Sequence, residues 1–292
     1  MKKASLPLSV LSVLAVLAVL CVLSLSPARA DETSTMAEQH KHDKPTATPA
    51  ATTAPAQAVT GEDVVYATVG GQPVHGFLAH PAAVQKASAK PLPGLIVIHE
   101  WWGLNNNIRD MAKRLAGEGY TALAIDLYGG QTADTPDKAK ELMGAVLKDT
   151  APGMENVKQA YDFLKTKEKA PKIGVIGWCF GGGWSLQTAL LLPDKIAATV
   201  LYYGHLETGK AKLAPLKMPI LGFFGGKDQS IPAASIQEFE KTLKGLGKSV
   251  EIHVYDDADH AFANASGGNY NPKDAEDAWK RTTAFFKKHL KG

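Results

Sequence analysis

The segment Gly177-Trp178-Cys179-Phe180-Gly181-Gly182-Gly183 stands directly behind the apolar run Ile173-Gly174-Val175-Ile176. A strand, then G-x-C-x-G, then a helix is the pattern of a nucleophile elbow with cysteine in place of the usual serine. The turn is so sharp that its central residue takes a strained backbone conformation. Side chains two positions before and after it would collide, so glycine is needed there. A thiol held this way stands at the C-terminal edge of a sheet and at a helix N-terminus, where the helix end favours a thiolate. The plain alternative is a buried structural cysteine among glycines used for helix–strand packing.

The rest of the chain supplies a sheet for such an elbow. Val64–Val69 and Val74–Ala79 alternate in polarity across Gly70-Gly71 and predict a hairpin. Strands are then expected at 94–98, 121–127, 172–177, 197–203, 219–224 and 250–255. Helices are expected at 108–118, 135–147, 153–166, 182–192, 231–246 and 272–290. In the first of these, Ile108, Met111, Ala112, Leu115 and Ala116 share one face. Repeated strand–helix units predict an α/β fold, a mostly parallel central sheet with helices on both faces. Ligands of such sheets bind beyond the carboxyl ends of the strands.

The first 30 residues read as a signal peptide. Lys2 and Lys3 precede the apolar stretch Leu6–Leu25, and Ala28-Arg29-Ala30 is an A-x-A cleavage site. The expected mature chain starts at Asp31 and is periplasmic or secreted; an uncleaved anchor is the alternative. Three of the 32 basic residues leave with the signal, so 29 Lys and Arg face 29 Asp and Glu. The formal charge of +3 then gives no reason to expect nucleic acid or a membrane surface as partner. Of Cys21 and Cys179, only Cys179 remains, so no internal disulfide is expected. Residues 31–60 are rich in Thr, Ala and Pro and read as a disordered spacer before one domain over 61–292. His40-Lys41-His42 offers two imidazoles without a cysteine, a weak metal signal.

Two further loops complete a constellation. Asp228 follows the strand 219–224 in Gly225-Gly226-Lys227-Asp228, and His260 follows the last strand in Asp259-His260-Ala261-Phe262. Nucleophile, acid and histidine in that chain order, each behind a strand, suit a catalytic triad: His260 carries the proton of the thiol and Asp228 orients the imidazole. Asp228 could instead cap the helix near Pro232. Asp256, Asp257 and Asp259 lie too close to His260 to reach its far nitrogen easily. In His99-Glu100-Trp101-Trp102-Gly103 the acid sits between an apolar strand and two tryptophans, where it is desolvated. The Trp101 and Phe180 amides are the expected oxyanion donors. Trp101, Trp102, Tyr128 and Tyr203 are candidates for an aromatic wall, and His205 for the pocket lining.

These residues resemble the dienelactone hydrolase family of α/β-hydrolases. The resemblance spans about Val64 to Leu290. It rests on Glu100-Trp101-Trp102-Gly103, Asp126-Leu127-Tyr128-Gly129-Gly130, Gly177–Gly182, Tyr202-Tyr203-Gly204, Gly225–Asp228 and His260-Ala261-Phe262. It implies the α/β-hydrolase fold, a Cys179–His260–Asp228 triad and a Glu100 that helps to activate the thiol when substrate arrives. It implies hydrolysis of small esters or lactones by a monomer, with no metal and no organic cofactor. One departure stands out. The family's type enzyme grips its substrate's carboxylate with arginines, and here those places hold Asn264 and the stretch with Lys138 and Lys140. Neither Asn nor a lone Lys gives a planar bidentate contact, so dienelactone itself is not the expected substrate. A non-catalytic binding protein and a redox-responsive protein are the rival expectations.

Overall fold

Five runs are buried at every residue: β3 (Gly94–Ile98), β4 (Thr121–Ile125), β5 (Ile173–Trp178), β6 (Ala198–Tyr202) and β7 (Ile220–Gly225). Continuous apolar runs of this kind are covered on both faces, as parallel strands are. They come from a computed structural model that describes Glu38, His40, Pro45 and residues 53–85 and 90–292. The expected signal segment, Cys21 and His42 lie outside the described residues.

The sheet is completed by β1 (Val59–Val69), β2 (Gln72–Pro81) and β8 (Val250–Tyr255), in the order β1-β2-β4-β3-β5-β6-β7-β8. Strand β2 runs antiparallel to β1 and β4, and every other pairing is parallel. The hairpin turn is Gly70-Gly71, both at positive φ (58° and 77°), as a two-residue connection between twisted strands demands. Strand β8 is the outer parallel strand and only half-buried. From β3 the chain steps to β4 on one side and later returns to β5 on the other. The carboxyl ends of β3 and β5 therefore flank a topological switch point, where α/β sheets open their ligand crevice.

The helices are α1 (Asn106–Gly117), α2 (Pro136–Lys148), α3 (Ala151–Thr166), α4 (Phe180–Leu191), α5 (Lys210–Leu213), α6 (Ala233–Gly245) and α7 (Pro272–Phe286). They cover both faces of the sheet. Helix α1 buries Ile108, Ala112, Leu115 and Ala116, and the Asn105 side chain accepts from the Ile108 amide. Thr135 and Asn271 cap α2 and α7 in the same way, each followed by a proline at the first turn.

Several details differ from the sequence reading. Strand β1 starts at Val59 rather than Val64, inside the stretch expected as spacer. Helix α4 starts at Phe180 rather than Gly182, because the elbow forces the chain into a helix directly behind Cys179 despite poor glycine propensity. The one-turn α5 is too short to carry a periodic pattern and buries only Leu213. Helix α7 ends at Phe286 and widens into a π-type turn over Lys287–Lys291.

Candidate active site

The elbow has the strain its glycines announce. Cys179 sits at φ 55°, ψ −118°, and its amide donates to Tyr202 O at 3.0 Å. A Cβ on Gly177 would lie 2.1 Å from Gly181 O, and one on Gly181 would lie 2.3 Å from Ile98 O. Glycine is thus imposed on both sides of the cysteine by backbone packed against backbone. Tyr203, behind β6, and Ala261, beside His260, also stand at positive φ (37° and 60°). Three strained residues meet at one sheet edge, a concentration typical of functional sites.

His260 is fully buried, and its Nδ1 meets Asp228 Oδ2 at 2.7 Å. The other oxygen, Oδ1, accepts from the amides of Ser230 (2.7 Å) and Ile231 (3.1 Å). Asp228 therefore closes the turn at Ser230 and Ile231 and also meets the imidazole, while the helix behind it starts from Pro232 without a side-chain cap, so the helix-cap reading does not hold. Asp256 and Asp257 are exposed, and Asp257 pairs with Lys227. Burial is the largest single influence on His260 and would lower its pKa. The Asp228 charge, the nearby Cys179 sulfur and the hydrogen bond to Asp228 together outweigh it and hold the imidazole well above its usual value of 6.5. The thiol lies close enough to act on the ring, yet Nε2 closes no hydrogen bond of normal geometry. Nucleophile and base are commonly this loose without substrate.

Glu100 is buried, and both its oxygens are held. Tyr203 OH donates to Oε1 (3.4 Å) and Asn264 Nδ2 to Oε2 (2.6 Å). Asn264 Oδ1 in turn accepts from Asn107 Nδ2 (3.2 Å) and from the Ser266 amide. The position where an arginine was missed thus serves the glutamate. Lys138 pairs with Glu141 on the α2 surface, and Lys140 is exposed.

His99 fixes the loop that carries Glu100. Its Nε2 accepts from the Leu127 amide (3.2 Å), so Nδ1 bears the proton and donates to Glu100 O (2.5 Å). Burial pushes its pKa down and keeps it neutral. Asp126 accepts from the amides of Tyr128 and Gly130, which directs Tyr128 onto Phe180 and His99. The Tyr128 and Tyr203 phenols are raised well above 10, first by burial, with the Cys179 sulfur among the further causes. Trp101 and Trp102 are buried and pack edge to face (5.0 Å). The Trp101 and Phe180 amides meet no acceptor among the described residues. Trp101 Nε1, Tyr128 OH and His260 Nε2 are buried without a hydrogen-bond partner. His205 packs beside Gly183 at the start of α4.

One member of the site stands in the sequence reading only as a weak metal signal. His40, from the stretch expected as spacer, is buried with its ring 5.3 Å from that of His260 and 5.2 Å from that of Trp101. Further along the same stretch, Pro55 packs on Gly117 and Gln57 donates to Gly117 O. No group of three potential metal ligands occurs among the described residues.

The chain is also similar to known proteins in sequence and in fold. The dienelactone hydrolase family model matches residues 74–290. "Protein usf" of Aquifex pyrophilus is 38% identical over 205 residues, 68% of this chain and 89% of that protein. The "Putative carboxymethylenebutenolidase" of Aquifex aeolicus is 32% identical over 228 residues, 76% of this chain and 96% of its own. Among solved structures, the "Putative Dienelactone Hydrolase" of Klebsiella pneumoniae subsp. pneumoniae superposes with a TM-score of 0.69 at 28% identity, covering 79% of this chain and 99% of that one.

Proposed function

The chain belongs to the dienelactone hydrolase family and is a hydrolase of the ester and lactone class, and from that premise we propose that it works through a Cys179–His260–Asp228 triad on small esters or lactones. The observation that carries this reading is the buried 2.7 Å His260–Asp228 contact beside a cysteine held at φ 55° on a strand-to-helix turn. A structural cysteine would need neither the strained backbone nor an imidazole whose outer nitrogen is left open.

The steps follow from the groups present. With the thiol proton held on His260 Nε2, Cys179 Sγ attacks the carbonyl carbon. The oxygen becomes an oxyanion facing the Trp101 and Phe180 amides, which have no other acceptor to give up. His260 then protonates the leaving alkoxide, and a thioester remains. A water gives its proton to His260 and attacks the thioester. Collapse expels the thiolate beside the protonated imidazole. Asp228 keeps the imidazole in the tautomer that presents Nε2 and stabilises the imidazolium between steps.

The substrate is proposed to lack an obligatory carboxylate, since Asn264 is committed to Glu100 and Asn107, and Lys138 to Glu141. Trp102, Tyr128 and Tyr203 offer apolar walls, and the open Tyr128 hydroxyl and Trp101 indole N–H offer polar contacts. A panel of 4-nitrophenyl esters with and without a terminal carboxylate tests this. Neutral esters should be the better substrates, and rapid quenching should trap an acyl group on the Cys179 peptide by mass. Acylation elsewhere would remove the assignment. The proposal includes export, with cleavage after Ala30. N-terminal sequencing of the mature protein should begin at Asp31, and an intact N-terminus would refute it.

A further inference from the structure

A roomy cleft lies away from the thiol. It spans about 460 Å³ between α1 and α7, floored by Trp178 and Tyr202 and closed on one side by residues 54–56. That volume suits a small ligand. Arg114 of α1 stands in its wall, with its guanidinium 4.1 Å from the ring of Trp279 of α7. Among the described residues this guanidinium makes no hydrogen bond or ion pair with a carboxylate, although the Glu118 charge favours it: its one hydrogen bond goes to Met111 Sδ at 3.7 Å. Burial works against its charge. A half-buried guanidinium left with a thioether is a poor end state for a group with five N–H donors in a fork that matches a carboxylate.

The surrounding charges narrow the ligand. Glu118 and Glu276 also line the cleft, and Glu276 is engaged by Lys280 (2.9 Å). Two acids near one arginine disfavour a dianion and leave room for a single negative charge. The indole of Trp279 and the methyls of Ala263 and Ala275 favour an apolar body. A small monocarboxylate with an apolar or aromatic body fits both demands. Ester and lactone hydrolysis releases acids of that class.

The cleft also reaches the site. It shares Asn107, Met111, Trp178 and Ala263 with a second opening of about 10 Å³ that ends on Glu100 and Asn264. That opening is about one water in size, so no ester passes through it. Information can pass, because Asn107 in the cleft wall donates to Asn264, which donates to Glu100. We infer that the α1–α7 cleft is a second binding site, for a small monocarboxylate gripped by Arg114, whose occupancy is relayed to Glu100 through Asn107 and Asn264.

Sodium phenylacetate is the probe, titrated calorimetrically into the purified protein, with phenylacetamide and inorganic phosphate as comparisons. Saturable binding of phenylacetate is expected, with the amide and phosphate weaker by about tenfold or more, as the loss of a charge-assisted contact implies. Arg114→Gln should weaken binding to a similar extent. Ala275→Phe should do so by filling the cleft while leaving the guanidinium in place. In ester hydrolysis phenylacetate should lower kcat with little change in KM. No saturable binding, binding that survives both substitutions, or purely competitive inhibition would each overturn the inference, the last because it would seat the probe at the thiol.

Discussion

The thiol site and the α1–α7 cleft share a wall and differ in almost every respect. Around Cys179 the reactive groups are assembled and the space is gone: Cys179 is 2% exposed and His260 0%, and the His40 ring lies on the imidazole. The cleft has about 460 Å³ of room, a cation and an indole, but no nucleophile. The difference teaches that volume and chemistry are separate signals. A strained backbone, a buried imidazole–carboxylate contact and open buried polar atoms mark where bonds change.

The comparison breaks most completely if Cys179→Ala leaves ester hydrolysis intact. Loss of kcat/KM on the order of 10³ or more is expected, because removing a nucleophile removes the covalent route. Asp228→Asn should cost on the order of 10²–10⁴ in kcat by releasing the imidazole tautomer. That variant also has a titration signature. Asp228 raises His260, so the imidazole resonance of the wild type should titrate above 6.5 and move down in Asp228→Asn. The sign for stability follows. A folded-state pKa above the unfolded one contributes stability that is fully present below about 6.5 and is lost as the pH rises through the folded value. The variant should therefore show less of this loss when urea unfolding is followed across that range.

Gly181→Ala should cost roughly 1–3 kcal/mol in urea unfolding, because its Cβ meets Ile98 O at 2.3 Å and backbone cannot step aside cheaply. An unchanged midpoint would mean that the elbow is looser than its geometry. The smallest effect sharpens the comparison rather than breaking it. His40→Ala should give the thiol site some of the room the cleft has. It should raise kcat/KM for a small ester by roughly two- to tenfold, because substrate no longer competes with a closed form. A fall would show instead that the His40 ring helps the reaction.

The sequence exposed what is local and periodic. The apolar runs of β3 to β7, the hairpin at Gly70-Gly71 and the helix face of α1 follow from patterns within a few residues and are legible there. So are Cys179, Asp228 and His260, because chain order behind successive strands projects onto one sheet edge. What could not be read is contact across distance. Asn264 was identified only as a missing arginine, although its amide meets Glu100 far away in the chain. His99 shows in the sequence only as the residue before Glu100, yet its two nitrogens fix the loop that carries Glu100. Arg114 falls on a helix and was not singled out; its stacking on Trp279 depends on where α7 returns. His40 sits in a stretch with no periodicity, and its one signal was an imidazole in an otherwise small and polar segment.

Cys179 and His260 are also supported very unequally. The cysteine is rooted between β5 and α4 near the middle of the sheet, while the histidine follows β8, the half-buried outer strand with β7 as its only neighbour in the sheet. Outer strands open locally at lower free energy than central ones. On gentle heating the imidazole should therefore lose its place before the core melts, so that activity fades while the sheet remains. The working lifetime of this enzyme is then set by its last strand, and stabilising the core alone would do little to extend it.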